Sequence, residues 1–564
     1  MPAGRKRSVI CGLMILACTA LPWQVEASGR ESTLHYLDQG WTTEERQDFY
    51  HLSPGTRLIP YEWFLALEAA KGQHFKDTVG AFWLLLDPNQ TSNADRLPVG
   101  LGQTSGGPQQ GRQVGITCAF CHTSQIRYKD QQIRIDGAPS MQYNARFILA
   151  LLNLLGTIYK DEQKFQNFAK TVLGPGADKD KRVALKEHLG YYVVNIAART
   201  SQDSSPLGWG FGRFDALGRG GNLVFLQLDS DNLRPANAPV SIPALWSSWE
   251  YDWVQWNGSI QHPLARNIAQ VIGVNANLFT SPNDPFTPSV DQSDPFRSSV
   301  DTKALIRLEK LVTKLKPPPW PKVFPAIDTR LAARGKDLYH GDEAKGVKNL
   351  CAHCHVAATL PEPNVHGQRL HAHMIPQQEV GTDATHATNF KARTAKTGAL
   401  EQVVGEERLS AKQAIKLITD EIMKRDGIPL DGYNEWRAEL EYIARPHTGI
   451  WATPPYLHNG SVPNVYELLS PWEQRHGCFY LAPNLEYDPR RLGFVVRECD
   501  GRSNPRDLTS GFEFETALTG NSNRGHEFRN TPQCASNEKK EPGILGCEIT
   551  PENRMAIVEY LKTL

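Results

Sequence analysis

Two short stretches carry the residues best suited to chemistry: Cys118-Ala119-Phe120-Cys121-His122 and Cys351-Ala352-His353-Cys354-His355. Both read C-x-x-C-H. On one helical turn, positions i, i+3 and i+4 share a face, so two thiols and an imidazole approach one ligand together. This is the attachment pattern of c-type haem, in which the thiols reach the porphyrin vinyl groups and the histidine reaches the iron. A redox C-x-x-C or half of a zinc site are the rival accounts. Two copies of the full five-residue pattern favour two covalent haems per chain. His353 lies between its cysteines, points off that face and is not a ligand candidate. The expected cofactor-binding residues are Cys118, Cys121 and His122 for one haem, and Cys351, Cys354 and His355 for the other.

The chain that must position these turns has 564 residues, enough for two or three domains. Its 61 basic residues balance 61 acidic ones with no long run of either sign, so nucleic acid is not an expected partner. With 45 glycines and 38 prolines, many loops are expected. Residues 1–27 read as an export signal: Arg5-Lys6-Arg7, an apolar stretch from Val9 to Leu21, then Val25-Glu26-Ala27. Lipid attachment at Cys18 is the alternative. Either way the expected location is periplasmic or secreted. Of ten cysteines, Cys478, Cys499, Cys534 and Cys547 remain beyond the signal and the haem turns. In an oxidising compartment they suggest two disulfides. Three connectivities are possible, and nearest-neighbour pairing is the expectation.

Thr42 with Glu45 has capping-box spacing, and Pro60–Glu68 reads as a helix with an aromatic face that packs in a core. An apolar helix is expected near Ala145–Tyr159, and a charged one over Asp178–His188. Trp246, Trp249, Trp253 and Trp256 are too dense for a surface loop, so most must be packed. Phe279–Pro295 reads as a loop and Lys316–Pro321 as a stiff linker. Beyond it, helices are expected over Thr329–Tyr339, from Ser410 (with Gln413 in the box position) to Arg425, and after Thr550-Pro551.

Gly449–Pro463, containing Pro455-Tyr456-Leu457-His458-Asn459-Gly460-Ser461, closely resembles the second-domain signature of bacterial di-haem cytochrome c peroxidases. Trp256-Asn257-Gly258-Ser259 resembles their first-domain Trp-Asp-Gly stretch. The two stretches also echo each other, which argues for two related domains. Within that superfamily the likeness is to the rubber oxygenase branch, through Asp38-Gln39-Gly40-Trp41, Pro60–Glu68 and Asn523–Phe528. The resemblance implies that His526 is the sixth ligand of the second haem and that Trp256 lies between the haems. It also allows calcium between the domains, although no acidic cluster marks a site. Two departures matter. No histidine occurs from Thr123 to Glu187, where the peroxidases carry a distal ligand, and no methionine sits in a ligand motif. The first haem is therefore expected to be open, with His188 or Met141 as ligands that would close it. For His458 a structural role near a propionate is expected.

The expected fold is mainly α: two cytochrome-c-like domains with an N-terminal extension and long loops. The boundaries read 28–110 for the extension, 111–315 for the first domain, 316–328 for the linker and 329–564 for the second domain. The expected function is that of an exported di-haem oxidoreductase. It would activate O2 or peroxide at the His122 haem, with Phe120, Trp246 and Trp256 making that neighbourhood apolar. An apolar organic substrate or a small redox protein would be its partner, and a non-catalytic electron carrier is the rival reading.

Overall fold

The computed structural model describes residues 33–564 apart from 71, 79, 81–83, 90–92, 106–110, 143, 202–208, 279–293, 365–366, 431–433, 482–484, 502–510 and 535–540. The side chains of residues 144, 145, 195–201 and 399 are also outside the description. The export signal with Cys18 and most of the expected Phe279–Pro295 loop lie outside the described residues.

The fold is not mainly α. Helix takes 38% and strand 19%, and among the described residues the strands form ten small sheets, two of three strands and eight of two. Part of the reason lies in the segments that flank the Cys118–Cys121 turn, which are strands and not helices. Leu101–Ser105 pairs with Arg112–Ile116, which leads directly into the Cys118–Cys121 turn. Thr123–Tyr128 leaves that turn and pairs antiparallel with Gln131–Asp136, which in turn pairs in parallel with Thr33–Tyr36. Ile126, Ile133 and Ile135 point inward from this sheet and are buried.

Where a helix has a cap written in the sequence, it forms at that place. Thr42 and Glu45 close a capping box on Thr43–His51, and Ser410 and Gln413 do so on Ala411–Arg425. Asp328 caps Thr329–His340, while Thr550 caps Pro551–Leu561. The last two helices pack tightly together. A side chain at Gly335 would collide with the Ala556 carbonyl, so glycine is what permits the approach. The charged helix runs further than expected, over Lys179–Ser201, and the aromatic one is short, Tyr61–Ala66.

Two apolar cores result. One runs through both halves of the chain, from Trp41 and Phe49 to Ile557 and Leu561. The other joins residues of 58–120 to the helices Asn144–Lys160, Glu162–Leu173 and Lys179–Ser201. The remaining cysteines form the disulfides Cys478–Cys499 and Cys534–Cys547, the nearest-neighbour pairing.

The echo between the two halves is structural. Val254 bridges Ile260 around one tight loop, and Tyr456 bridges Val462 around its twin. Gln255 and Gly258 have positive φ in the first, as do Leu457 and Gly460 in the second. The loops touch each other's surroundings: Ser241 N donates to the His458 carbonyl at 2.8 Å, and the Trp246 indole donates to the Thr448 carbonyl at 2.8 Å. Among the described residues, no helix is long and apolar enough to cross a membrane.

Candidate functional site

Each C-x-x-C-H turn opens on its own cavity. The first, about 760 Å³, is lined by Cys118, His122, Pro243, Trp256, Arg266, Glu309 and Arg445 among others. The second, about 1560 Å³, is lined by Cys351, Cys354, His355, His447, His458 and His526 among others. Trp256, Pro243, Ala244, Ile443 and Arg445 line both, so a thin shared wall separates them.

The two histidines are held alike. His355 Nδ1 meets the Arg445 carbonyl at 2.8 Å, which leaves Nε2 as the nitrogen available to a ligand. The Pro243 carbonyl is the corresponding neighbour of His122. Trp256 follows Pro243 by the same thirteen residues that separate His458 from Arg445. One repeated unit thus supplies a backbone acceptor for a histidine and then a tight loop. Burial pushes His122 down to about 3 and His355 down to about 4, so both imidazoles are neutral and fit to bind metal at ordinary pH.

The thiols of both turns stand outside the disulfides. Cys118, Cys121, Cys351 and Cys354 form none, while the other four cysteines beyond residue 32 are paired. Burial pushes Cys118, Cys121 and Cys351 up to about 12. Redox-active C-x-x-C pairs are tuned the opposite way, towards thiolate. Among the described residues no cluster of three or more His, Cys, Asp or Glu could hold a metal ion.

Across the second cavity from His355 stands His526, with ring centroids 6.0 Å apart and planes at 61°. Two imidazoles sharing one iron at metal–nitrogen distances of about 2 Å stand roughly 6 Å apart by centroid. His447, which the sequence did not single out, stacks on His355 at 3.9 Å with Tyr339 OH 3.1 Å from its Nδ1. It flanks His355 and does not face it. Met374 packs its thioether against Gly258, away from the cavity lining. His458 lines the second cavity, stacked on Tyr442 at 4.1 Å.

The first cavity is mainly apolar, but through residues other than most of those expected: Phe49, Leu245, Leu308, Val312 and Ile443 line it beside Trp256. Phe120 turns away into the other core against Phe147, and Trp246 lines only the second cavity. The polar groups of the first cavity are few, and two of them converge on a carboxylate. Arg266 and Asn267 both donate to Glu309 Oε1, and Oε2 is unengaged among the described residues. Among the lining residues His122 is the sole imidazole and there is no thioether; His188 is exposed, and Met141 packs against Gly212.

Arg445 completes the fit to a porphyrin. Its guanidinium is buried, has no carboxylate partner among the described residues, and donates to the Ala244 carbonyl at 2.8 Å. A buried cation without an anion is strongly unfavourable. The carboxylates of a porphyrin are anions that could pair with it.

Residues 441–480 match the RoxA-like, cytochrome c-like family. That segment contains Arg445, His447, His458 and Arg475. An uncharacterized protein of Sinorhizobium fredii (strain NBRC 101917 / NGR234), y4iJ, is 33% identical over 596 residues, covering 94% of this chain and 93% of its own. The chain belongs to the y4iJ family. A second uncharacterized protein of that strain, y4iM, is 25% identical over 287 residues, covering 48% of the chain and 53% of its own length. This member of the y4iJ family thus carries a RoxA-like cytochrome c-like domain, and is a haem-type cytochrome.

Proposed function

We propose that the protein is an exported di-haem c-type cytochrome oxidoreductase of the rubber oxygenase-like branch. Cys118, Cys121 and His122 hold the first haem, within a module of residues 111–315. Cys351, Cys354 and His355 hold the second, with His526 as its sixth ligand, within residues 329–564. The two disulfides support a location outside the cytoplasm. The observation that carries the reading is the pair of C-x-x-C-H cavities sharing the wall of Trp256 and Arg445.

When bound, the haems supply one-electron chemistry, and at an open position they bind O2 or peroxide. The residues of the chain do the rest. His122 and His355 orient the axial nitrogens. Trp256, fixed by its indole N–H to the Ser241 carbonyl at 2.7 Å, fills the wall between the sites and offers a packed path for electrons. Glu309, held on one oxygen by Arg266 and Asn267, keeps its other oxygen for holding or moving a proton in the first cavity. That carboxylate stands in a mainly apolar lining, so both O2 and peroxide remain substrates of the proposal. An apolar organic compound or a small redox protein is the partner.

Carbon monoxide tests the proposal. The reduced protein should bind one equivalent per chain, at the His122 haem, and Cys118→Ser with Cys121→Ser, which removes that haem, should abolish that binding. Two inert haems would replace the enzyme with an electron carrier.

A further inference from the structure

The turn that presents His526 is held by one guanidinium. Gly525 and His526 have φ of 76 and 48, the left-handed region that side chains such as His526 rarely adopt. Gly525 lies on the backbone of Gly381, and Gly381 on that of Gly543, approaches that a side chain at Gly525 or Gly381 would prevent. His526 N donates to the Val380 carbonyl at 2.7 Å, which fixes one edge of the turn.

Arg475 fixes the other. It is 6% exposed and donates all five of its N–H groups to backbone carbonyls. Nη1 reaches Asn523 at 2.5 Å and Gly525 at 3.0 Å; Nη2 reaches His526 and Leu468, each at 3.0 Å; Nε reaches Ser470 at 3.2 Å. Three of these acceptors belong to the His526 turn. The other two end the helix Val465–Leu468, whose Val465 and Leu468 line the second cavity. One planar fork therefore ties the turn that carries the imidazole to the wall of the cavity it faces. No other side chain offers five donors in a fixed plane.

We propose that Arg475 is a positioning residue for the sixth ligand of the second haem: it locks the 523–526 turn to the 465–470 segment and so keeps the His526 imidazole opposite His355. This rests on the assignment of His526 given above. Arg475 itself does not line the cavity, so it acts through His526.

The test uses the full-length di-haem protein. Arg475→Met removes every donor, and Arg475→Lys keeps the charge but offers at most three. In Arg475→Met, the reduced protein should take up one carbon monoxide per chain more than wild type, and one low-spin ferric signal should become high-spin. Arg475→Lys should show part of the same change. An arginine that only stabilises the fold would lower Tm and leave carbon monoxide uptake and both signals at wild-type values, and that result overturns the proposal. If Arg475→Met does not accumulate with two haems, Arg475→Lys decides alone, and a wild-type spectrum and uptake in it count against the clamp. His526→Ala separates the two claims. If it leaves the second haem low-spin, the ligand assignment fails; if it turns that haem high-spin while both Arg475 variants stay as wild type, the clamp alone fails.

Discussion

His526→Ala and His447→Ala form a pair whose outcomes the geometry sets apart. The iron must lie on the Nε2 side of His355, because Nδ1 meets the Arg445 carbonyl. A ligand on the far side of that iron has its ring centroid roughly 6 Å from that of His355. His526 is at 6.0 Å, whereas His447 is at 3.9 Å in a stack tilted by only 29°, beside His355. His526→Ala should therefore convert the low-spin ferric signal of the second haem in electron paramagnetic resonance to high-spin, and should raise carbon monoxide uptake from one to two per chain. His447→Ala should do neither. It removes the ring face packed on His355 and the partner of Tyr339, so a shift in the midpoint potential of the second haem is its expected sign. The reasoning is refuted if His447→Ala opens the second haem and His526→Ala does not.

Three further outcomes follow from the same cavities. Glu309→Gln keeps the shape of the carboxylate but not its proton chemistry, so stopped-flow reaction of the reduced protein with peroxide should slow by about 10²-fold or more, while carbon monoxide binding stays unchanged. Trp256→Ala should destabilise the protein by about 3 kcal/mol in denaturant titration and slow electron exchange between the haems, with haem content intact. His386 is buried to 2% with neither ring nitrogen in a well-formed hydrogen bond, and burial lowers it to about 3. Between about 3 and 6.5 the unfolded chain holds a proton that the folded one does not, so stability falls as pH drops through that window. The slope is about 1.4 kcal/mol per pH unit for this one residue. Urea titrations from pH 7 to pH 4 should show a shallower acid loss in His386→Phe.

Capped helices and the two short C-x-x-C-H turns were legible because their information is local. Ser410 with Gln413, Asp328 and Thr550 each announce a helix within four residues. The strands were harder. Most are two or three residues long, too short for a period of two to show, and are set by contacts from distant segments. Thr123–Asp136 does carry such a period, with Ile126, Ile133 and Ile135 alternating with polar residues around the Lys129-Asp130 turn, yet it is not among the elements expected above. The lining of the first cavity was legible only in part. Phe120 sits at the position between its cysteines that corresponds to His353, and the argument that sets His353 aside applies equally to Phe120. Glu309 is one carboxylate on an amphipathic helix, Thr302–Val312, with nothing in the sequence to mark it. Only the fold brings it beside Arg266 and into the cavity that holds His122.

The central claim is that each C-x-x-C-H turn carries its own covalent haem, and haem counting tests it most directly. Pyridine haemochrome quantitation on the purified, denatured chain should give two haems for wild type, one for Cys118→Ser with Cys121→Ser, and one for Cys351→Ser with Cys354→Ser. One haem or none in the wild-type chain, or two in either double variant, would contradict the account.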